Sequence, residues 1–196
     1  MAQVQLKQSP DRISVVIDGK PFTEFFVGAE AVKPYLHPLR TANGKIVTRS
    51  YPMETVAGEA KDHPHHRGLW MTHGLLNEVD FWANEKNQKG AGKAGRGVIV
   101  TRRITAVESG KKKGTIGANF EWQDPSGKGL LAEKRTMTFY SHPTQRWVDF
   151  DVTLTAMEDV VFGDTKEGMF AIRLTTELEE KHSGKMRNAE GKEGEK

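Results

Sequence analysis

Residues 62 to 74 read DHPHHRGLWMTHG and hold four of the chain's seven histidines, with Asp62, Arg67 and Trp70 among them. An imidazole that titrates near neutrality, a carboxylate to orient it and a guanidinium for developing negative charge are the components of acid/base chemistry on a small substrate. His65 and His66 are the acid/base candidates, Asp62 is the group that orients an imidazole, and Arg67 is a planar fork for an anionic group. Trp70 and Trp82 supply flat apolar faces of the kind that sugar rings pack against. Farther on, DTKEGMFAIRL brings Glu167, a remote carboxylate able to share acid and base roles with a histidine, and Arg173, a further substrate-binding cation.

Pro64 biases His63 toward an extended conformation and disfavours a helix, so the segment reads as strand or loop. On an extended chain His63, His65 and Arg67 share one face and Asp62, His66 and Gly68 the other, which splits His65 from His66 and keeps the four histidines from converging locally. A catalytic zinc takes three protein ligands and a water. His63 and His65 would need a third ligand from His73, Glu78 or Asp80, and the spacing matches none of the sharp zinc signatures. No cofactor is therefore predicted, with a divalent metal on His63, His65 and His73 as the alternative. A non-catalytic carbohydrate-binding module, in which the aromatics matter and the histidines do not, is a further alternative. Any one of these side chains is as readily a hydrogen-bonded group at the edge of a core; the clustering is what favours function.

The 196 residues carry a net charge of only +3, with 36% hydrophobic residues, 20 glycines and 8 prolines, a composition that suits a turn-rich globular domain. No concentrated positive field points to nucleic acid, and Lys111, Lys112 and Lys113 before Gly114 read as a solvated turn with no aromatic platform to stack bases. Cysteine is absent, which excludes disulfides and thiolate metal sites. The opening MAQVQLKQSPDR lacks the features of a signal peptide, and no apolar run approaches the ~18 residues of a membrane span. The expected protein is soluble, cytoplasmic by default, and acts on a small, sugar-like or acidic partner; its oligomeric state is open. GAGKAG at 90 to 95 matches G-x-G-x-x-G, but polar ANEKNQK precedes it and β-rich GVIVTRRITAV follows, so it reads as an inter-strand loop.

The elements that must position these groups are strands. In RWVDFDVTLTAM, Val148, Phe150, Val152, Leu154 and Ala156 alternate with polar residues, as on a half-buried antiparallel strand. GTIGANFEWQD (Ile116, Ala118, Phe120, Trp122) and KRTMTFYS (Met137, Phe139) repeat the pattern on either side of the turn DPSGKG, giving a meander. Asp18-Gly19 predicts a hairpin between two β-rich runs. No helical period is sustained over three turns. The expected fold is an all-β antiparallel β-sandwich, a single β-rich domain over 1–196, with 180–196 a polar loop or tail.

DHPHHRGLWMTHGLLNEVDFW, DTKEGMFAIRL and NAEGKEGE resemble, in order and approximate spacing, the methane oxygenase PmoA-like family, a bacterial group of unestablished function. The resemblance runs from about Val27 onward. It implies that members continue past NAEGKEGE with more strands, so that this chain is the N-terminal part of a longer domain and its polar end an interrupted loop. Thr101 stands where that family often places a histidine. The style of fold implied is that of the galactose mutarotase supersandwich, and no residue role is carried over from mutarotases.

Overall fold

The computed structural model describes residues 3–86, 88 and 92–194. Its strands, in chain order, are β1 (Val4–Gln8), β2 (Arg12–Ile17), β3 (Lys20–Phe26), β4 (Tyr35–His37), β5 (Leu69–Met71), β6 (Leu75–Leu76), β7 (Val79–Asp80), β8 (Val98–Glu108), β9 (Lys113–Gln123), β10 (Gly129–Tyr140), β11 (Trp147–Ala156) and β12 (Phe170–Ile172). Helix among the described residues is confined to two 3-10 turns, Thr176–Leu178 and Glu180–His182. None is long and apolar enough to cross a membrane.

Two antiparallel sheets form a sandwich. One has the order β1-β2-β3-β4-β5-β12 and the other β11-β10-β9-β8, with β6 and β7 a small separate hairpin. Asp18 and Gly19 join β2 to β3 with φ of 54° and 74°, the positive pair that a type I′ reversal demands. The sheets meet through aromatic edges, Phe25 against Phe120 at 6.2 Å and Phe22 against Phe139 at 6.3 Å. Ile116, Ala118, Phe120 and Trp122 all point into this core and are buried, as their alternation predicts.

The same alternation carries a surprise on β10. Glu133 and Arg135 occupy inward positions between Leu131 and Met137, and both are buried. Arg135 Nε donates to Glu133 Oε1 at 2.6 Å, and Trp122 Nε1 donates to Glu133 Oε2 at 2.7 Å, so the carboxylate is matched on both oxygens. The inner face of β11 is only half covered, because β12 opposes its ten residues with three. Met71, Val148, Phe150, Val152, Met169 and Phe170 line the resulting cavity of about 750 Å³.

What positions the candidate residues is the outer face of the first sheet. Ile13, Phe25, Leu36 and Leu69 lie in register across β2, β3, β4 and β5 and face the sandwich core. Their chain neighbours Arg12, Phe26, Tyr35, Trp70 and Ala171 form the adjoining cross-strand row and face the other way. Phe26 stacks on Tyr35 at 4.7 Å, and Tyr35, Trp70 and Trp82 make a second, smaller core on this face.

The polar end, expected as loop or tail, contains the 3-10 turn at Glu180–His182 and an isolated bridge between Arg187 and Glu193. Of the GAGKAG stretch, Gly90 and Ala91 lie outside the described residues; Gly92 and Gly95 sit in the connection from β7 to β8, with the Gly95 amide donating to the Gly92 carbonyl. The core that holds the two sheets together predicts a clear contrast: Phe25→Ala should cost about 3–5 kcal/mol, while Thr153→Ala on the exposed side of β11 should stay near 0.5 kcal/mol, both read from urea midpoints.

Candidate functional site

The histidine segment is a turn, not a strand. The His66 amide donates to the His63 carbonyl at 3.0 Å, which places Pro64 and His65 at the two central positions, where the fixed φ of proline fits. His63 itself has φ 45°. This corrects the extended reading that separated His65 from His66. The reversal gathers three rings: His63 and His66 stack at 4.8 Å and 14°, and His65 stands edge-on to them at 5.6 and 4.3 Å. The extended preference of a residue before proline is a weak local bias, and hydrogen bonds from a distant residue overcome it.

That residue is Arg49. Its side chain is 1% exposed, and Nη2 donates to the carbonyls of Asp62 at 2.9 Å and His63 at 3.1 Å, while Nη1 reaches Asp62 Oδ1 at 2.6 Å. Arg173 adds a contact from Nη2 to the same Oδ1 at 3.2 Å. The other oxygen, Oδ2, receives His63 Nδ1 at 2.5 Å. Partial burial works against ionisation of Asp62, but the His63 hydrogen bond and the charges of Arg173 and Arg49 hold its carboxyl down at about 2.

Gly68 joins the turn to β5. Its φ is 58°, and a Cβ there would lie 2.1 Å from the Leu36 carbonyl oxygen, so only glycine lets the chain pass β4 this closely. Arg67 turns away from the imidazoles. Its guanidinium grips Glu85 in two hydrogen bonds of 2.7 and 2.9 Å and lies over the Tyr35 ring at 5.5 Å. The fork expected for an anionic ligand thus already holds one of the chain's own carboxylates.

Beneath the turn, His66 stacks on Trp70 at 5.0 Å and meets Trp82 at 6.0 Å. Trp70 and Trp82 are 2% and 6% exposed, so they are a floor under the imidazoles rather than an open platform for a sugar ring. Lys33, wholly buried, donates to Asn84 Oδ1 at 2.6 Å and to the Trp82 carbonyl at 3.0 Å; burial drives its amine down to about 7. His65 Nδ1 meets the Gln88 amide at 2.6 Å. Burial, then the charges of Lys33 and His63, lower His65 to about 4; burial, then its sister imidazoles and Arg173 and Arg49, lower His66 to about 3.

These two rings are neutral through the neutral pH range and are weak bases. His63 differs: its Nδ1 is fixed by an ionised carboxylate on a half-exposed ring, an arrangement that leaves Nε2 free of the Asp62 contact. His73 stands apart, with Nε2 on the Gly163 carbonyl and its ring against Phe162. Glu167 pairs with Lys166 at 3.7 Å, and no described hydrogen bond, ion pair or ring contact ties it to the imidazoles. It lies four residues before Ala171, the β12 residue paired with Trp70, an extended span on the order of 13 Å. Among the described residues, no group of three histidine or acidic side chains is disposed to hold a metal ion. Within the turn the reason is plain: Asp62 and Gln88 occupy the Nδ1 atoms of His63 and His65, and near-parallel stacking keeps the nitrogens of His63 and His66 from converging.

Arg49 and Lys33 escaped sequence reasoning. The available signal was a lone cation inside an apolar or β-branched run, AVKPYL and IVTRSY, where burial requires a dedicated set of acceptors.

Arg49→Met should therefore cost about 2–4 kcal/mol in a urea melt, even though it is longer in apolar reach than alanine. A second expectation concerns pH. His37 is also held low, at about 4, by burial and then Arg40, so His37, His65 and His66 all sit below the ordinary 6.5 of an unfolded chain. Unfolding then takes up protons below pH 6.5, and stability should fall as the pH drops from about 6.5 toward 4. His65→Gln and His66→Gln should flatten that slope, measured as urea midpoint against pH; a wild-type midpoint constant from pH 7 to 4.5 would contradict it.

No curated protein and no solved structure matches the chain. Residues 12–196 match the family of unknown function DUF6807. With β2 to β12 and the whole histidine turn inside the matched span, the chain belongs to the DUF6807 family.

Proposed function

We propose that this protein binds a small carbohydrate-like or acidic molecule beside the histidine turn and transfers a proton to or from it through His63. The observation that carries the reading is the Asp62–His63 pair, 2.5 Å long, with Asp62 pinned from behind by Arg49 and Arg173. A carboxylate fixed in this way sets the tautomer and orientation of an imidazole without competing for the proton. His65 and His66, neutral and stacked, support the ring and offer hydrogen bonds to polar groups of a ligand.

Room for the ligand exists next to the turn. Tyr51, Pro64, Arg67, Glu85 and Gln88 border a cleft of about 520 Å³, within the ordinary range for small-molecule sites. Its walls mix a phenol, a guanidinium, a carboxylate and an amide, the donors and acceptors that a polyhydroxylated molecule requires. Lyase, epimerase and hydrolase reactions can all draw on proton transfer of this kind.

Proton NMR of a panel of monosaccharides and sugar acids in D2O, incubated with the protein, reads solvent exchange, epimerisation, elimination and hydrolysis together. Wild-type protein should convert at least one member. His63→Ala and Asp62→Asn should slow that conversion by about 10²–10⁴-fold with cooperative unfolding retained. Conversion unchanged in both variants would remove His63 from the chemistry, and binding without conversion by the wild type would reassign the site to a sugar-binding module.

A further inference from the structure

Buried hydrogen-bonding groups without partners are rare in folded proteins, and each calls for a cause. Several of those in this chain collect around one ring. His66 Nε2, Trp70 Nε1, Trp82 Nε1 and Arg173 Nε are all buried without a partner, and Gln88 Oε1 is a fifth. The three rings touch one another, His66 to Trp70 at 5.0 Å, His66 to Trp82 at 6.0 Å and Trp70 to Trp82 at 5.4 Å. Arg173 belongs to the same group, since its backbone bonds to Gly68 and its Nη2 to Asp62 beneath the turn.

The chemistry of the set is one-sided. An indole N–H and a guanidinium N–H donate in every protonation state and never accept, so Trp70, Trp82 and Arg173 present three obligatory donors. His66 joins them whenever its hydrogen is on Nε2. Gln88 Oε1 is the exception, an acceptor, because the amide nitrogen of that side chain is on His65 Nδ1. A water accepts only two hydrogen bonds. A carboxylate carries about four lone-pair positions and no hydrogen, and it pairs best with donors that are charged or polarised. The guanidiniums of Arg173 and Arg49 also place positive potential at His66.

We propose that the ligand of this site is a carboxylate, a sugar acid rather than a neutral sugar, and that the indole N–H groups of Trp70 and Trp82 with Arg173 Nε are the donors that receive its acidic group. The inference rests on the reading of the histidine turn as a ligand site and narrows the ligand to the acidic class. Receiving the acid displaces the His66 ring from the indoles it covers, so binding couples recognition to movement of the turn that carries His63.

Calorimetric titration of the whole chain with matched pairs, D-galacturonate against D-galactose and D-glucuronate against D-glucose, separates charge from ring shape. At least one acid should bind at least tenfold tighter than its neutral partner. Trp70→Phe and Trp82→Phe keep an aromatic face but remove the indole N–H together with part of the ring, and each should weaken the acid by about tenfold while leaving the neutral sugar within twofold. Thr153→Ala, on the exposed side of β11, should leave acid affinity within twofold. Equal binding of acids and neutral sugars, or full affinity in both phenylalanine variants, would overturn the carboxylate assignment and leave the ligand site standing. Binding of no sugar or sugar acid by the wild type would overturn both.

Discussion

A single buried guanidinium holds the candidate site together. Arg49 is shut off from solvent, so its charge has to be met by the protein, and it is met by the carbonyls of Asp62 and His63 and the carboxylate of Asp62. That obligation runs both ways. Extending the chain at residues 62 and 63 would strip the buried cation of three of its five hydrogen bonds, and the turn that keeps them is what gathers His63, His65 and His66. The same contact pulls Asp62 toward Arg173, so the end of β12 and the histidine turn are tied through one carboxylate oxygen. Asp62 is then left with a second oxygen and one nearby donor, His63. The Asp62–His63 pair is in this sense a by-product of burying Arg49.

The first sheet does two jobs because strand periodicity is two. Its inward row makes the sandwich core with β9 and β10, and its outward row makes a floor of Phe26, Tyr35 and Trp70. A one-residue slip in β4 or β5 would exchange the rows and destroy core and floor together. The strong pressure on register that comes from the core thus also positions Trp70, and through it His66, at no further cost to specificity. Gly68 shows how closely this is fitted: the chain leaves the turn and enters β5 against the Leu36 carbonyl with no room for a Cβ.

How much of this was legible follows the range of the interaction concerned. Alternation in β9, β10 and β11 and the Asp18-Gly19 reversal are local, and each appears where the sequence puts it. Asp62 and Arg173 stand in separate motifs with nothing local to pair them, and the fold joins them across 111 positions. The histidine turn was misread because Pro64 speaks only for its neighbours, whereas Arg49 acts from thirteen positions away. Tryptophans at the edge of a motif carry no mark of which face they will occupy, so Trp70 and Trp82 looked like an exposed platform. Glu133 and Arg135 were hidden for the converse reason: their positions fit the strand pattern, but nothing nearby announces that Trp122 will complete the pair.

The crowding of the imidazoles decides which of them can carry charge. Two imidazoliums 4.3 to 5.6 Å apart repel by on the order of 3–4 kcal/mol at an effective dielectric of 20. Buried His65 and His66 would add a desolvation penalty to that repulsion, and the cations Lys33, Arg49 and Arg173 stand nearby. For His65 the carboxylate of Asp80 offsets part of this penalty. His63 differs in both respects, since half of its side chain meets water and its Nδ1 meets an ionised Asp62. Clustering three histidines in one turn therefore does not create three equivalent acid/base groups. It creates two rings, His65 and His66, that burial and neighbouring charge keep neutral, and one, His63, whose Nδ1 is held by a carboxylate while half of its side chain meets water.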